Sequence, residues 1–367
     1  MRLFALVLAG IVLLAGCTPR PDIAVSAEAA QVGTVRPVYI GSTRAPGGAE
    51  IYRNQRGRAL SFARVDVSIP PAHEPGKIEM AAVDPDPARH FMASEVSLYA
   101  DATGFRAELA RALRNRPRAD REVMIYVHGF NNTFADGVFR AAQMGHDFDL
   151  PGVMVHYSWP SSARPLGYAF DRDSALFARD GLVALIEEVN RAGAERVLLV
   201  GHSLGAHLGM EGLRQLALKR GSVGRLVDGV ILISPDIDVD VFRSQARTIG
   251  KLPQPFVIFA SRRDRVLALS ARLSGERNRL GNLNTVRQVA DLEVLVIDLS
   301  AYSSGDWFNH LVIAQSPALI RLFSNIEAAE IAFSGDMAGR TGLLPGTVLT
   351  VQNATGIILS PVSALAQ

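Results

Sequence analysis

The chain has 367 residues, 48% hydrophobic and 20% charged, with 38 basic against 36 acidic side chains and a single cysteine. That apolar fraction excludes a disordered chain, and the near-balanced charge gives no pull toward nucleic acid. One cysteine excludes an intramolecular disulfide and any multi-cysteine zinc or iron–sulfur site. Length alone would suit about two domains of roughly 150 residues.

At the N-terminus Arg2 precedes an apolar run from Leu3 to Gly16. The run is shorter than the roughly 20 residues that span a bilayer, so residues 1–16 read as a signal peptide. Leu14-Ala15-Gly16-Cys17 resembles a bacterial lipobox. The resemblance implies cleavage before Cys17, lipidation of Cys17, and a lipid anchor to a membrane of the bacterial cell envelope. Residues 17–36, small and proline-bearing, read as a flexible tether.

Short β-rich runs between 38 and 70, broken by Pro46-Gly47-Gly48, predict a peripheral hairpin or meander. Residues 71–90, rich in proline and charge, predict loop. Compact apolar runs follow at 123–127, 153–157, 196–200, 229–233, 256–260 and 292–298. They are nearly continuous, as expected of strands buried on both faces. Between them lie helical periods at 174–190 and 204–219. The alternation predicts an α/β fold: a mostly parallel central sheet with helices on both faces. A functional site then belongs at the C-terminal strand ends.

At the end of the 196–200 run stands Gly201-His202-Ser203-Leu204-Gly205, followed by a helical period. Gly-x-Ser-x-Gly between a strand and a helix makes a sharp turn that lifts a serine oxygen above the sheet. Ser203 is therefore the candidate nucleophile. The helix start behind it offers the Leu204 N–H to a developing anion. At the end of the 123–127 run stands His128-Gly129-Phe130-Asn131-Asn132. The backbone N–H of Phe130 or Asn131 would complete an oxyanion hole with Leu204, and His128 would buttress that loop.

A serine nucleophile needs a base, and the base needs a carboxylate to orient it. Of eight histidines, His310 alone follows the last strand, in Asp306-Trp307-Phe308-Asn309-His310, before a helix expected over 311–323. For the acid, Asp264 follows the penultimate strand and is favoured. Asp236 and Asp238, after the strand before it, are the alternatives.

These residues carry a resemblance to the α/β-hydrolases, and within them to a bacterial family of esterase/lipase-like proteins of unknown function, DUF900. The matching segments are 126–131, Tyr157-Ser158-Trp159-Pro160-Ser161, Tyr168 with Asp171, 201–205, Ser234-Pro235-Asp236-Ile237-Asp238, and Ser261 with Asp264. The resemblance spans roughly residues 37–325, taken as one hydrolase domain. Residues 326–367, rich in Gly, Ser and Thr, read as a C-terminal tail or a late packing element. The resemblance implies a serine hydrolase with a Ser203–His310–Asp264 triad that works without cofactor or metal. The expected reaction is cleavage of a carboxylic ester, of a small molecule or a lipid, through an acyl-enzyme. An acyltransferase, thioesterase or amidase would use the same residues. A non-catalytic envelope binding protein on the same fold is the contrasting reading.

Overall fold

The computed structural model describes residues 20, 22–48, 51–273, 275, 278–283, 286–300, 310–317, 320, 347–353 and 356–361. Residues 1–16, expected to be a signal peptide, Cys17 and residues 301–309 lie outside them. In chain order the elements are helix α1 (Ala29–Val32), strands β1 (Thr34–Pro46), β2 (Tyr52–Ile69) and β3 (Met92–Tyr99), then α2 (Ala102–Arg114), β4 (Glu122–Val127), α3 (Phe134–Asp147) and β5 (Val153–Ser158). They continue with α4 (Tyr168–Arg191), β6 (Arg196–His202), α5 (Leu204–Arg220), β7 (Gly229–Ile233), α6 (Val239–Ile249), β8 (Phe256–Ala260) and α7 (Arg265–Leu273). Last come β9 (Leu295–Asp298), α8 (Val312–Gln315), β10 (Thr347–Asn353) and β11 (Gly356–Pro361).

The strands form an 11-stranded sheet in the order β11-β10-β9-β8-β7-β6-β4-β5-β1-β2-β3. From β10 to β1 every neighbouring pair is parallel, and antiparallel strands close both ends. Side chains alternate across a strand, so each apolar run feeds two cores. Val123, Ile125 and Val127 of β4 face the core under α2, α4, α5 and α6, while Met124 and Tyr126 face the one under α3 and α8. Such a run serves helices on both faces at once, which is why these strands read as continuous rather than alternating.

Three boundaries differ from the sequence expectation. The run at 38–40 is interior, not peripheral: β1 lies parallel to β5, with Ile40 opposite His156, and Val38 and Ile40 are fully buried. The later part of the stretch expected to be a tether is packed on the domain instead: Ser26 N–H bonds Ala93 O at 2.9 Å, Ser68 Oγ bonds Ala29 O at 2.7 Å, and β1 begins at Thr34. Within 326–367, β10 and β11 extend the sheet, with Val348 opposite Val296 of β9. Their Thr-, Val- and Ile-rich segments suit a pleated surface.

The loop over 71–90 is held by a charged clamp. His73 Nδ1 lies 2.9 Å from Glu79 Oε2, and Nε2 lies 2.8 Å from Asp147 Oδ1 at the end of α3. Burial works against charge on His73, but the hydrogen bonds to Asp147 and Glu79 outweigh it and raise its pKa above 6.5. Asp147 is lowered from 3.8: burial opposes this, but its bonds from His73, Gln143 and the Gly76 N–H prevail.

A raised histidine contributes stability that is complete below its unfolded pKa and fades as pH rises through the folded one. The lowered Asp147 contributes above its unfolded pKa and loses that as pH falls through its own. Urea unfolding across pH therefore should show an alkaline loss of stability, beginning near 6.5, that His73→Gln removes. Parallel pH slopes for the two proteins would refute the clamp.

Candidate active site

Between β6 and α5 the chain must reverse within a few residues. Ser203 adopts φ +53° and ψ −120°, outside the regions favoured by side chains with a Cβ. Such a conformation costs about 1–3 kcal/mol and persists only when its surroundings hold it. Here the Ser203 N–H donates to Ile233 O at 2.9 Å, and Ser203 O accepts from Ala206 N (3.0 Å) and Asp236 N (3.2 Å). The turn also needs Gly205: a Cβ there would stand 2.2 Å from His128 O and 2.4 Å from Val127 O. Ser203 is nearly buried and heads α5.

The strain is not confined to Ser203. Asn131 (φ +60°), Ala163 (φ +54°) and Ser234 (φ +44°) follow β4, β5 and β7 and are also left-handed. The C-terminal edge of the sheet thus carries a row of strained residues, as functional edges do.

His310 and Asp264, 46 residues apart, are joined by a 2.8 Å hydrogen bond between Nδ1 and Oδ2. Asp264 is buried, and its Oδ1 accepts from the Leu267 N–H at 3.0 Å, at the start of α7. The His310 ring packs 4.8 Å from the ring of His202, the chain neighbour of Ser203. The alternative carboxylates are engaged elsewhere. Asp236 accepts from Tyr168 OH (2.7 Å) and Ser270 Oγ (2.8 Å) and faces Arg279 Nε at 3.3 Å. Asp238 caps α6 by accepting from Asp240 N and Val241 N. The residues 306–309 before His310 lie outside the described ones.

The 128–132 loop lies directly against the serine. A Cβ on Gly129 would be 2.8 Å from His202 Nδ1 and 3.1 Å from Ser203 Cβ, so the close approach depends on glycine. The loop is stitched to the segment after β5. Trp159 Nε1 donates to His128 O at 2.7 Å, and the Trp159 ring stacks on His128 at 4.9 Å. Ser161 Oγ accepts from the Asn132 N–H at 3.2 Å and donates to Asp171 Oδ2 at 2.6 Å. His128 has its pKa pushed well below 6.5 by burial, then by Arg44 and His156, and it buttresses the loop as a neutral ring.

One expectation is corrected here. The Asn131 N–H donates to Asp171 Oδ2 at 3.2 Å, so it is already spent and does not serve an oxyanion. Phe130 and Leu204 remain the backbone donors that the sequence leads one to expect.

Sequence reading missed three contributors. Arg44, fully buried on β1, donates to Ser158 Oγ, Asn54 Oδ1, Ser161 O and Asn132 O. Burial lowers its pKa to about 9, with Asp171 and Asp136 opposing. Asp171, noted only as part of a motif, ties both loops together from the first turn of α4. His202 gives His310 its packing surface. An arginine inside an apolar β run was the one available signal for Arg44. The other two roles depend on contacts between distant segments.

Burial, then Asp236, raises the pKa of the Tyr168 phenol. Its ring meets Phe130 edge-on at 5.5 Å. Among the described residues no group of three or more His, Cys, Asp or Glu is arranged to hold a metal ion. Chemically, the arrangement offers a serine oxygen at a strained turn, an imidazole oriented by a buried carboxylate, and backbone N–H groups beside them.

A search of curated proteins finds no match to the chain. Among solved structures it is similar to TT1662 from Thermus thermophilus, at 14% identity over 58% of this chain and 90% of that one, with a TM-score of 0.37. It is also similar to EstE1, a thermophilic carboxylesterase cloned from a metagenomic library, at 13% identity over 82% of this chain and 88% of that one, with a TM-score of 0.34. At these scores the likenesses carry no inference about function. The family model described as an alpha/beta hydrolase of unknown function, DUF900, matches residues 101–326, which hold Ser203, Asp264 and His310, and the chain belongs to that family.

Proposed function

We propose that this hydrolase cleaves a carboxylic ester by serine catalysis. The observation that carries the reading is the Asp264–His310 hydrogen bond, set beside the strained Ser203 turn by the His202–His310 ring contact. Asp264 holds the Nδ1–H tautomer of His310 and stabilises its cation. Nε2 of His310 then takes the Ser203 proton as Oγ attacks the acyl carbon. The oxyanion accepts hydrogen bonds from the Phe130 and Leu204 N–H groups. Collapse breaks the ester C–O bond, and His310 returns its proton to the leaving alcohol. A water, deprotonated by the same imidazole, attacks the acyl-enzyme, releases the carboxylic acid and restores Ser203.

The lipobox-like segment supports a second element: lipidation at Cys17 and attachment to a membrane of the bacterial envelope. Acyl chains on one residue would tether the chain without a spanning helix. Among the described residues no helix is long and apolar enough to cross a membrane.

Each element has a direct test. A fluorophosphonate probe should label the wild type and leave Ser203→Ala unlabelled; equal labelling of both would end the nucleophile assignment. On p-nitrophenyl esters, Asp264→Asn should lower kcat about 10³–10⁴-fold, as expected when an imidazole loses its orienting carboxylate. Asp236→Asn should lose far less, and the reverse ranking would reassign the acid. In cell fractionation with a high-salt wash, Cys17→Ala should move the protein out of the membrane pool, whereas unchanged retention after the wash would overturn the anchor.

A further inference from the structure

The first turns of α4 present two opposite faces. Tyr168 and Asp171 point inward, to Asp236 and to the 128–132 loop. Outward stand Leu166, 99% exposed, Phe170, 41% exposed, and Phe177, 46% exposed. Arg56 lies over both rings, its guanidinium carbon 4.7 Å from the Phe170 centroid and 5.7 Å from that of Phe177. It is held there by Ser174 Oγ at 3.0 Å. Leu166, Phe170 and Arg164 also line a cleft with Asn54 and Gln55, and Arg53 lines the adjoining one. Apolar side chains scattered singly need no explanation. Here they are grouped, ringed by arginines, and set at the strand edge that carries Ser203. Asp173 is an acidic neighbour on the same helix, outnumbered by the three arginines.

A second observation concerns where the chain leaves this edge. The Arg20 guanidinium donates to Asn131 Oδ1 at 3.0 Å and also to Asn131 O, and it pairs with Asp136 at 3.2 Å. Asn131 is in turn bonded to Asp171 of α4. Cys17 precedes Arg20 by three residues, a reach of about 11 Å at full extension. An anchor at Cys17 would therefore hold this edge, and not the opposite end of the sheet, against the bilayer.

We propose that the face bearing Leu166, Phe170 and Phe177 among Arg53, Arg56 and Arg164 docks on an anionic phospholipid surface, with the Ser203 edge turned toward the membrane. The apolar side chains enter the headgroup–acyl boundary while the arginines meet lipid phosphates. The inference uses the Cys17 anchor for its geometry and deepens the esterase reading by naming acyl lipids of that surface as the substrate class. The docking measurement itself does not depend on turnover.

The test uses the chain from residue 17 onward with Cys17→Ser and Leu166→Cys, so that position 166 carries the only thiol, labelled with a polarity-sensitive bimane. Vesicles of phosphatidylcholine and phosphatidylglycerol should blue-shift the label and expose it to quenching by doxyl lipid. High salt should abolish both effects, since at 1 M screening acts within about 3 Å. Arg53→Glu should weaken the response at least fivefold, as one basic residue near an anionic surface is worth roughly that factor. A label at Leu218→Cys, on the far end of α5, should stay silent.

No response at 166 while the protein sediments with vesicles would overturn the proposal, as would equal responses at 166 and 218. A shift that appears without vesicles and grows with protein concentration would assign the face to a second copy instead. Hydrolysis of soluble p-nitrophenyl acetate reports on Ser203 independently. Its absence with docking intact would remove the esterase reading alone, and docking lost with hydrolysis intact would remove this one alone.

Discussion

The left-handed backbone at Ser203 is the constraint on which the rest of this edge depends. A side chain at φ +53° is held there only because the turn is clamped by β7 through Ile233 O and by Asp236 N. The neighbouring loop must also come within contact of the turn, which glycines at 129 and 205 permit. Strain of this kind is sustained by cooperative packing elsewhere. The continuous apolar strands supply that packing, because each is buried on both faces and so cannot shift without disturbing two cores.

Around this turn a buried polar network sets the loop geometry. Arg44 lies inside the protein at a cost in desolvation, visible in its depressed pKa. Its N–H groups are met by oxygens of β2, of β5 and the segment after it, and of the 128–132 loop. Asp171 answers from the other side, accepting from Asn131 N, Ser161 Oγ and Ser162 N. A buried network whose members are satisfied specifies one arrangement, since any alternative leaves polar groups unpaired in a low dielectric.

His310 is positioned by elements outside the Gly201–Gly205 turn. Gln143 of α3 donates to Ala314 O at 3.2 Å, in the helix that follows His310. Gly76, in the loop clamped by His73, packs so closely on Gln315 that a Cβ would stand 2.4 Å from its carbonyl oxygen. The same α3 begins at the Thr133–Asp136 capping box that ends the 128–132 loop. One helix therefore links the 128–132 loop at its N-terminus to the support of His310 near its C-terminus, so both sides of the serine rest on a common rigid body.

The local structure around the candidate site was legible in the sequence. The apolar runs mark β4 to β9, Gly201 to Gly205 marks the strained turn, and chain order singles out His310 and Asp264, because these signals lie within a few consecutive residues or follow from strand order. Tertiary structure alone decided what depends on distant segments meeting. It placed β1 inside the sheet, added β10 and β11, and brought Arg20 to Asn131. It also paired the Asn131 N–H with Asp171. The physical reason is that a periodic pattern reports which face of an element is buried, whereas a hydrogen-bond partner 40 or more residues away is chosen only when the elements pack.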